Sequence, residues 1–198
     1  CQSLCYYCGC HKIITRKTHR AVEYLSYLKR EIQMQAALFD RTRPLTQLHL
    51  GGGTPTYLDD AQLAELMASL AQGFSLDTSD NHEFSIEVDP RTISVERIHN
   101  LRRLGLNRLS FGVQDFDADV QAAVNRVQSE EQIVQLVAAA RQFVGCSGVC
   151  RPASVSTFGA FTAYHCGANP WSEPTKVATS FGLPNSSRAR RIVASAPS

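Results

Sequence analysis

No stretch of this sequence is apolar for long enough to span a bilayer, and no basic-then-apolar segment opens it. The expectation is therefore a cytoplasmic chain that works away from membranes. Nor is there a surplus of one charge: 20 basic against 18 acidic side chains leave +2, too little for the basic face that nucleic acid requires. Acidic residues all but vanish toward the end, where Glu173 is the single one from Cys146 to Ser198, among five prolines. A disulfide framework is missing too. Seven cysteines, an odd number and unevenly bunched, do not pair off, and 198 residues at 43% hydrophobic content can build a core without staples.

What is present starts with Cys1, Cys5, Cys8 and Cys10, written CQSLCYYCGC. The first three have the C-x3-C-x2-C spacing that lets one short loop hold three irons of a four-iron four-sulfur cluster. The fourth iron is left open, free to chelate the amino and carboxylate groups of S-adenosylmethionine (SAM). Four cysteines can also take zinc, although zinc ribbons pair two C-x2-C knuckles across a longer stretch than this. A loop of ligands normally follows a strand that positions it, so a preceding strand is expected outside this sequence.

Beyond the cysteines, helical and strand periods alternate. From about Thr18 to Phe39 the apolar positions Val22, Leu25, Leu28, Ile32 and Ala36 recur at three and four, which predicts a long amphipathic helix. LTQLHL then runs into Gly51, Gly52 and Gly53, a buried strand ending in a glycine loop. Asp59 or Asp60 caps a helix with Leu63, Leu66, Met67 and Leu70 on one face. EFSIEVDP is the next strand, and a helix through Ile98, Leu101 and Leu104 stops at Gly105. RLSFGVQ is a third strand, and Ser129 with Gln132 forms a capping box before Ile133, Leu136, Val137 and Ala140. The expected fold is α/β: a partial (β/α) barrel or open parallel sheet. After about Gly145 no such period continues. Residues 146–198 read as a disordered basic tail or as sequence in the wrong frame, the second fitting better because the last helix calls for a strand and none is legible. An exposed sheet edge is the expected consequence.

Ligand-bearing positions collect at the strand ends, where open parallel sheets and barrels place their sites. Three glycines would let a ligand lie against bare backbone. Glu87 alternates with Ile86 and Val88, so it faces away from them. It can accept from a ribose hydroxyl or pair with Arg91 or Arg108. Gln114 and Asp115 end the third strand, and Arg126 presents two parallel donors to a carboxylate or is an ordinary helix-end arginine. The run His11, Lys12, Arg16, Lys17, His19 and Arg20 faces an anionic substrate or is solvated surface. Cys146, Cys150 and Cys166 read as free thiols.

Together CQSLCYYCGC, LHLGGGTPTYL, FSIEVDPRTI and GLNRLSFGVQDFDADVQAAVNRVQ resemble the oxygen-independent coproporphyrinogen III oxidases of haem biosynthesis, a radical SAM family, from Cys1 to about Arg141. The resemblance implies a radical SAM barrel truncated at both ends, with residues 1–145 as the partial catalytic domain. It makes Cys1, Cys5 and Cys8 the ligands of one 4Fe-4S cluster and Cys10 a neighbour that is not a ligand. Gly52 and Glu87 match contacts of the cluster-bound SAM, while Tyr7, Gly53, Thr54, Gln114 and Arg126 match those of a second SAM molecule. The implied reaction removes a hydrogen from a propionate β-carbon by a 5′-deoxyadenosyl radical. Loss of carbon dioxide and an electron then turns each of two propionates of coproporphyrinogen III into a vinyl group. A reducing donor such as flavodoxin or ferredoxin would supply the electron. Related haem chaperones share the cluster motif, but the C-x-C ending at Cys8 and Cys10 marks the oxidase branch; an inactive fragment is the other alternative. A strand with a tyrosine before the first cysteine, a later strand bearing an aspartate, a YGLP motif and a C-terminal domain belong to the family and are not recognisable here. The FGLP at Phe181 to Pro184 is isolated and misplaced.

Overall fold

A computed structural model describes residues 1–142 and the backbone of residues 162–166. The elements run α1 (His19–Ala36), β1 (Gln47–Leu50), α2 (Asp60–Gly73), β2 (Glu83–Val88), α3 (Val95–Arg103), β3 (Arg108–Val113), α4 (Ala118–Ala123), α5 (Glu130–Arg141) and β4 (Thr162–Cys166). The sheet order is β1-β2-β3-β4. β1 and β2 pair in parallel with Leu48 opposite Phe84, and β2 and β3 with Glu87 opposite Ser110. Each parallel step is crossed by a helix, as parallel pairing requires.

Period-two alternation sorts the strand residues to two faces. Leu48, Phe84, Ile86, Val88, Leu109, Phe111 and Val113 are buried in one core with Leu63, Leu66 and Leu70 of α2, Ile98 and Leu101 of α3, and Ile133 and Leu136 of α5. The alternate positions, His49, Ser85, Glu87, Ser110 and Gly112, are left for the other face. α1 buries Ala21, Leu25, Leu28 and Ile32 and packs on α2. Val22, expected on that face, is 60% exposed: Ala21 lies four residues before Leu25 and completes the stripe, while Val22 is turned about 100° from it.

The caps hold to expectation with one change. Asp59 is the N-cap of α2, its carboxylate accepting from Gln62 N at 2.8 Å while the Gln62 side chain accepts from Asp59 N at 3.0 Å. Ser94 caps α3, and Gly105 turns the chain out of it at φ +88°. Ser129 accepts from Gln132 N at 3.1 Å, but its hydroxyl donates to Glu131. The missing strand is corrected as well. β4 pairs antiparallel with β3, Phe111 opposite Tyr164, so this edge of β3 is covered by a strand that needs no crossover helix. Cys146, Cys150 and the FGLP lie outside the described residues, as does the side chain of Cys166. Among the described residues no helix is long and apolar enough to cross a membrane.

Arg97 fastens the segment after the glycine loop to α3. It donates to Thr56 O at 2.9 Å, to Leu58 O and to Asp60 Oδ1 at 2.9 Å. Arg97→Ala removes all three bonds and the packing of a long side chain. A loss of about 2 kcal/mol is expected, read as a lower urea midpoint at unchanged slope; an unmoved midpoint would show that the segment holds itself.

Candidate cluster and cofactor site

The cysteine loop is closed at its base and pinned at its tip. Cys1 N donates to Ile13 O at 3.1 Å and Thr15 N to Cys1 O at 2.9 Å, so residues 1–15 form a loop with both ends together. Tyr6 N donates to Val124 O at 3.1 Å, and Asn125, in the left-handed region at φ +54°, donates from its side chain to Leu4 O at 2.7 Å. Asparagine tolerates that conformation better than most residues. Sequence distance of over a hundred residues is thereby closed, and the loop lies over the C-terminal ends of β2 and β3.

Cys1, Cys5, Cys8 and Cys10 line one cavity of about 450 Å³, together with Tyr7, Gly52, Gly53, Thr54, Glu87, Gln114 and Arg126. The cysteines and the residues matched by the resemblance therefore reach the same space, whereas Gly51 and Asp115 do not line it. A second cavity, about 320 Å³ between the ends of α1 and α2, holds none of them. Of the basic run, Lys12 alone lines the site; its ammonium donates to Cys8 O at 2.6 Å and Cys10 O at 3.3 Å, ordering the turn between two of the cysteines.

The four thiols differ. Burial works against ionisation of Cys8, but bonds from Cys10 and the Lys12 ammonium outweigh it and lower its pKa. Cys10 moves the other way: desolvation, the bond and charge of Cys8, and Glu87 all push it up against Lys12. Of this pair Cys8 is therefore the more readily ionised, and the thiolate is the form that binds iron. Cys5 is buried, Cys1 partly so, and Cys1 Sγ lies 3.2 Å from Thr54 Oγ1. Tyr7 is pushed up to about 12, by burial first and by donating to Cys5, against the pull of Arg126. Its phenol is a neutral donor at physiological pH. Cys10→Ser is accordingly expected to retain the iron and sulfide of the parent after anaerobic reconstitution, whereas loss of all iron would favour a four-thiolate site.

The glycine loop and Glu87 meet across β1 and β2. Gly52 stands at φ +105°, which a side chain would strain, and its N–H donates to Glu87 Oε2 at 3.3 Å. Glu87 pairs with His49 Nε2 at 3.5 Å rather than with Arg91 or Arg108. Those arginines hold Asp89 and Glu83 instead. His49 Nδ1 lies 2.8 Å from Ser85 Oγ, which donates to Leu48 O at 3.1 Å. Asp89 lines the cavity and His49 lies beside Glu87, and sequence reasoning missed both. For Asp89 the signal is the D-P-R run at a strand end.

Two observations test whether these residues fit an iron–sulfur cluster and SAM. Gln114 Oε1 is buried in the cavity wall with no hydrogen-bond partner among the described residues, an acceptor whose desolvation a ligand's donor would offset. The donor set fits also. The cysteines line the cavity beside Lys12, Arg91 and Arg126, cations that suit an anionic thiolate cluster.

A family model described as the Radical SAM superfamily matches residues 1–150. The chain belongs to the radical SAM superfamily. That family implies a 4Fe-4S cluster and SAM. The oxygen-independent coproporphyrinogen III oxidase of Salmonella typhimurium is 52% identical over 141 residues, covering 71% of this chain and 30% of its own length. The Pseudomonas aeruginosa protein of the same name is 46% identical over 141 residues, covering 71% and 31%. Among solved structures, coproporphyrinogen III oxidase (HemN) from Escherichia coli, described as a radical SAM enzyme, matches at TM-score 0.68 and 51% identity, over 72% of this chain and 32% of that one. The chain thus spans about 30% of the length of the curated relatives it matches.

Proposed function

We propose that this chain is the cluster- and SAM-binding part of an oxygen-independent coproporphyrinogen III oxidase, an enzyme of haem biosynthesis acting in the cytoplasm. The observation that carries the reading is the meeting of the cysteine loop, the glycine loop, Glu87, Gln114 and Arg126 on one cavity of about 450 Å³, in a sequence half identical to proteins of that name. Residues 1–145 would form this part of the catalytic domain, with 146–198 outside it.

When bound, the reduced cluster and SAM supply the hydrogen-abstracting radical chemistry that oxidatively decarboxylates propionates to vinyl groups. In this reading Cys1, Cys5 and Cys8 hold the cluster. Gly52 offers bare backbone and Glu87 an acceptor to the first SAM. Tyr7, Gly53, Thr54, Gln114 and Arg126 border the space for a second. Lys12 keeps the cysteine turn in shape, and the packed sheet beneath the cavity excludes water from one side. Coproporphyrinogen III is the substrate and a flavodoxin- or ferredoxin-like protein the electron donor. Neither nucleic acid nor membrane has a part.

The test is electron paramagnetic resonance of the anaerobically reconstituted, dithionite-reduced protein with and without SAM, followed by assay for carbon dioxide release from coproporphyrinogen III. A reduced-cluster signal that changes on adding SAM supports the cofactor assignment. No cluster signal overturns it, and haem binding without decarboxylation would assign the chain to a chaperone.

Glu87→Ala is expected to weaken SAM binding by about ten- to a hundredfold, the worth of one bond to a charged acceptor, at unchanged iron content. The SAM concentration that half-converts the resonance signal measures it; unchanged affinity would remove Glu87 from the site.

A further inference from the structure

Cys5 is set apart by what surrounds its sulfur. Arg91 Nη2 lies 3.5 Å and Arg126 Nη1 3.4 Å from Cys5 Sγ. Both guanidinium groups are held by one carboxylate. Arg91 donates to Asp89 Oδ2 at 2.7 Å and Oδ1 at 3.0 Å, and Arg126 Nη2 lies 3.3 Å from Asp89 Oδ1. The Asp89 and Arg126 side chains are 8% and 9% exposed, so the arrangement is screened little by solvent. Two arginines on one aspartate leave a net positive charge against the sulfur. Arg126 reaches it because β3 is bare at Gly112, whose carbonyl accepts from Arg126 Nη2 at 2.8 Å, and where a Cβ would stand 2.9 Å from that same nitrogen.

Donors and positive charge at a cluster thiolate favour the reduced state, since one-electron reduction makes the cluster more negative by one unit. We propose that Arg91 and Arg126, clamped by Asp89, set the reduction potential of the cluster through Cys5, with Arg91 as a positioning residue for that thiolate. The electron itself comes from the external reductant, and the arginines decide how easily the cluster accepts it. This rests on the reading that Cys1, Cys5 and Cys8 hold a 4Fe-4S cluster.

The experiment is a redox titration, with dithionite as reductant and paramagnetic resonance as readout, of the reconstituted parent, Arg91→Met, Arg91→Lys and Asp89→Asn. Arg91→Met should move the midpoint to more negative values, Arg91→Lys should lie between it and the parent, and Asp89→Asn should move it to more positive values. These opposite signs separate the electrostatic role from a structural one, which has no reason to give them. Should Arg91→Met fail to hold the cluster, the signs for Asp89→Asn and Arg91→Lys decide. Unmoved midpoints, shifts of one sign in all variants, or loss of the cluster from all three would overturn the inference while leaving the cluster assignment in place. A parent protein that takes up no iron and sulfide would overturn that assignment and the inference with it.

Discussion

Cys5→Ala is expected to abolish cluster incorporation. Three thiolates are the least that hold a cuboidal cluster by one loop, and Cys5 is the buried member of the three proposed ligands. Its loss has a second cost. Arg91 and Arg126 both face the Cys5 sulfur, so alanine removes their shared acceptor from between two guanidinium groups that share a single carboxylate. The measurement is iron and sulfide content after anaerobic reconstitution, with circular dichroism to establish that the fold persists. Iron falling to the level of an unreconstituted blank is the expected result. Parent-level iron and sulfide would sink the assignment of Cys5, and with Cys10→Ser losing iron instead would move the third ligand to Cys10.

The contrast between Cys5 and Cys10 shows where sequence was informative. Spacing alone separates C-x3-C-x2-C from the extra C-x-C, but both sit in one ten-residue stretch. Only folding makes them chemically different, placing Cys5 against two arginines and leaving Cys10 exposed as the partner of Cys8. The strands and helices were legible because one face of each is buried in a common core, so the apolar period carries the element: Phe84, Ile86 and Val88 at two, Leu63, Leu66 and Leu70 at three and four. α4 was missed. Its six residues contribute Gln121 to the interior instead of an apolar stripe, and they are capped by Asp117, whose carboxylate accepts from Asp119 N and Val120 N. Within the site, glycines, Glu87, Gln114 and Arg126 were readable as chemistry at strand ends. The Ser85–His49–Glu87 chain and the Asp89 clamp were not, because they pair residues from different strands and loops, and the parallel register decides which of them meet: His49 stands opposite Ser85.

Asp89→Ala should be the most destabilising of the substitutions considered. Burial disfavours the Asp89 carboxylate, yet the bonds from Arg91 and the charges of Arg126 and Arg91 outweigh it and hold its pKa below the usual carboxylate value. A depressed folded value means that the ion pairs contribute fully above the ordinary carboxylate range. Their contribution fades as the pH falls through the lowered value. At neutral pH, removing the carboxylate leaves Arg126, 9% exposed, and Arg91, 20% exposed, uncompensated beside each other. Breaking a buried pair from one side costs about 3–5 kcal/mol, a large part of the roughly 5–15 kcal/mol that holds a domain folded. Urea unfolding of the cluster-free protein measures this without the metal's contribution. Asp89→Asn keeps an acceptor and should lose less. Adding Arg91→Met to Asp89→Ala should restore part of the loss, because it removes a buried charge that no longer has a counter-ion. If the two losses simply add, or if Asp89→Ala unfolds within about 1 kcal/mol of the parent, then solvent and not Asp89 is what keeps these arginines in place.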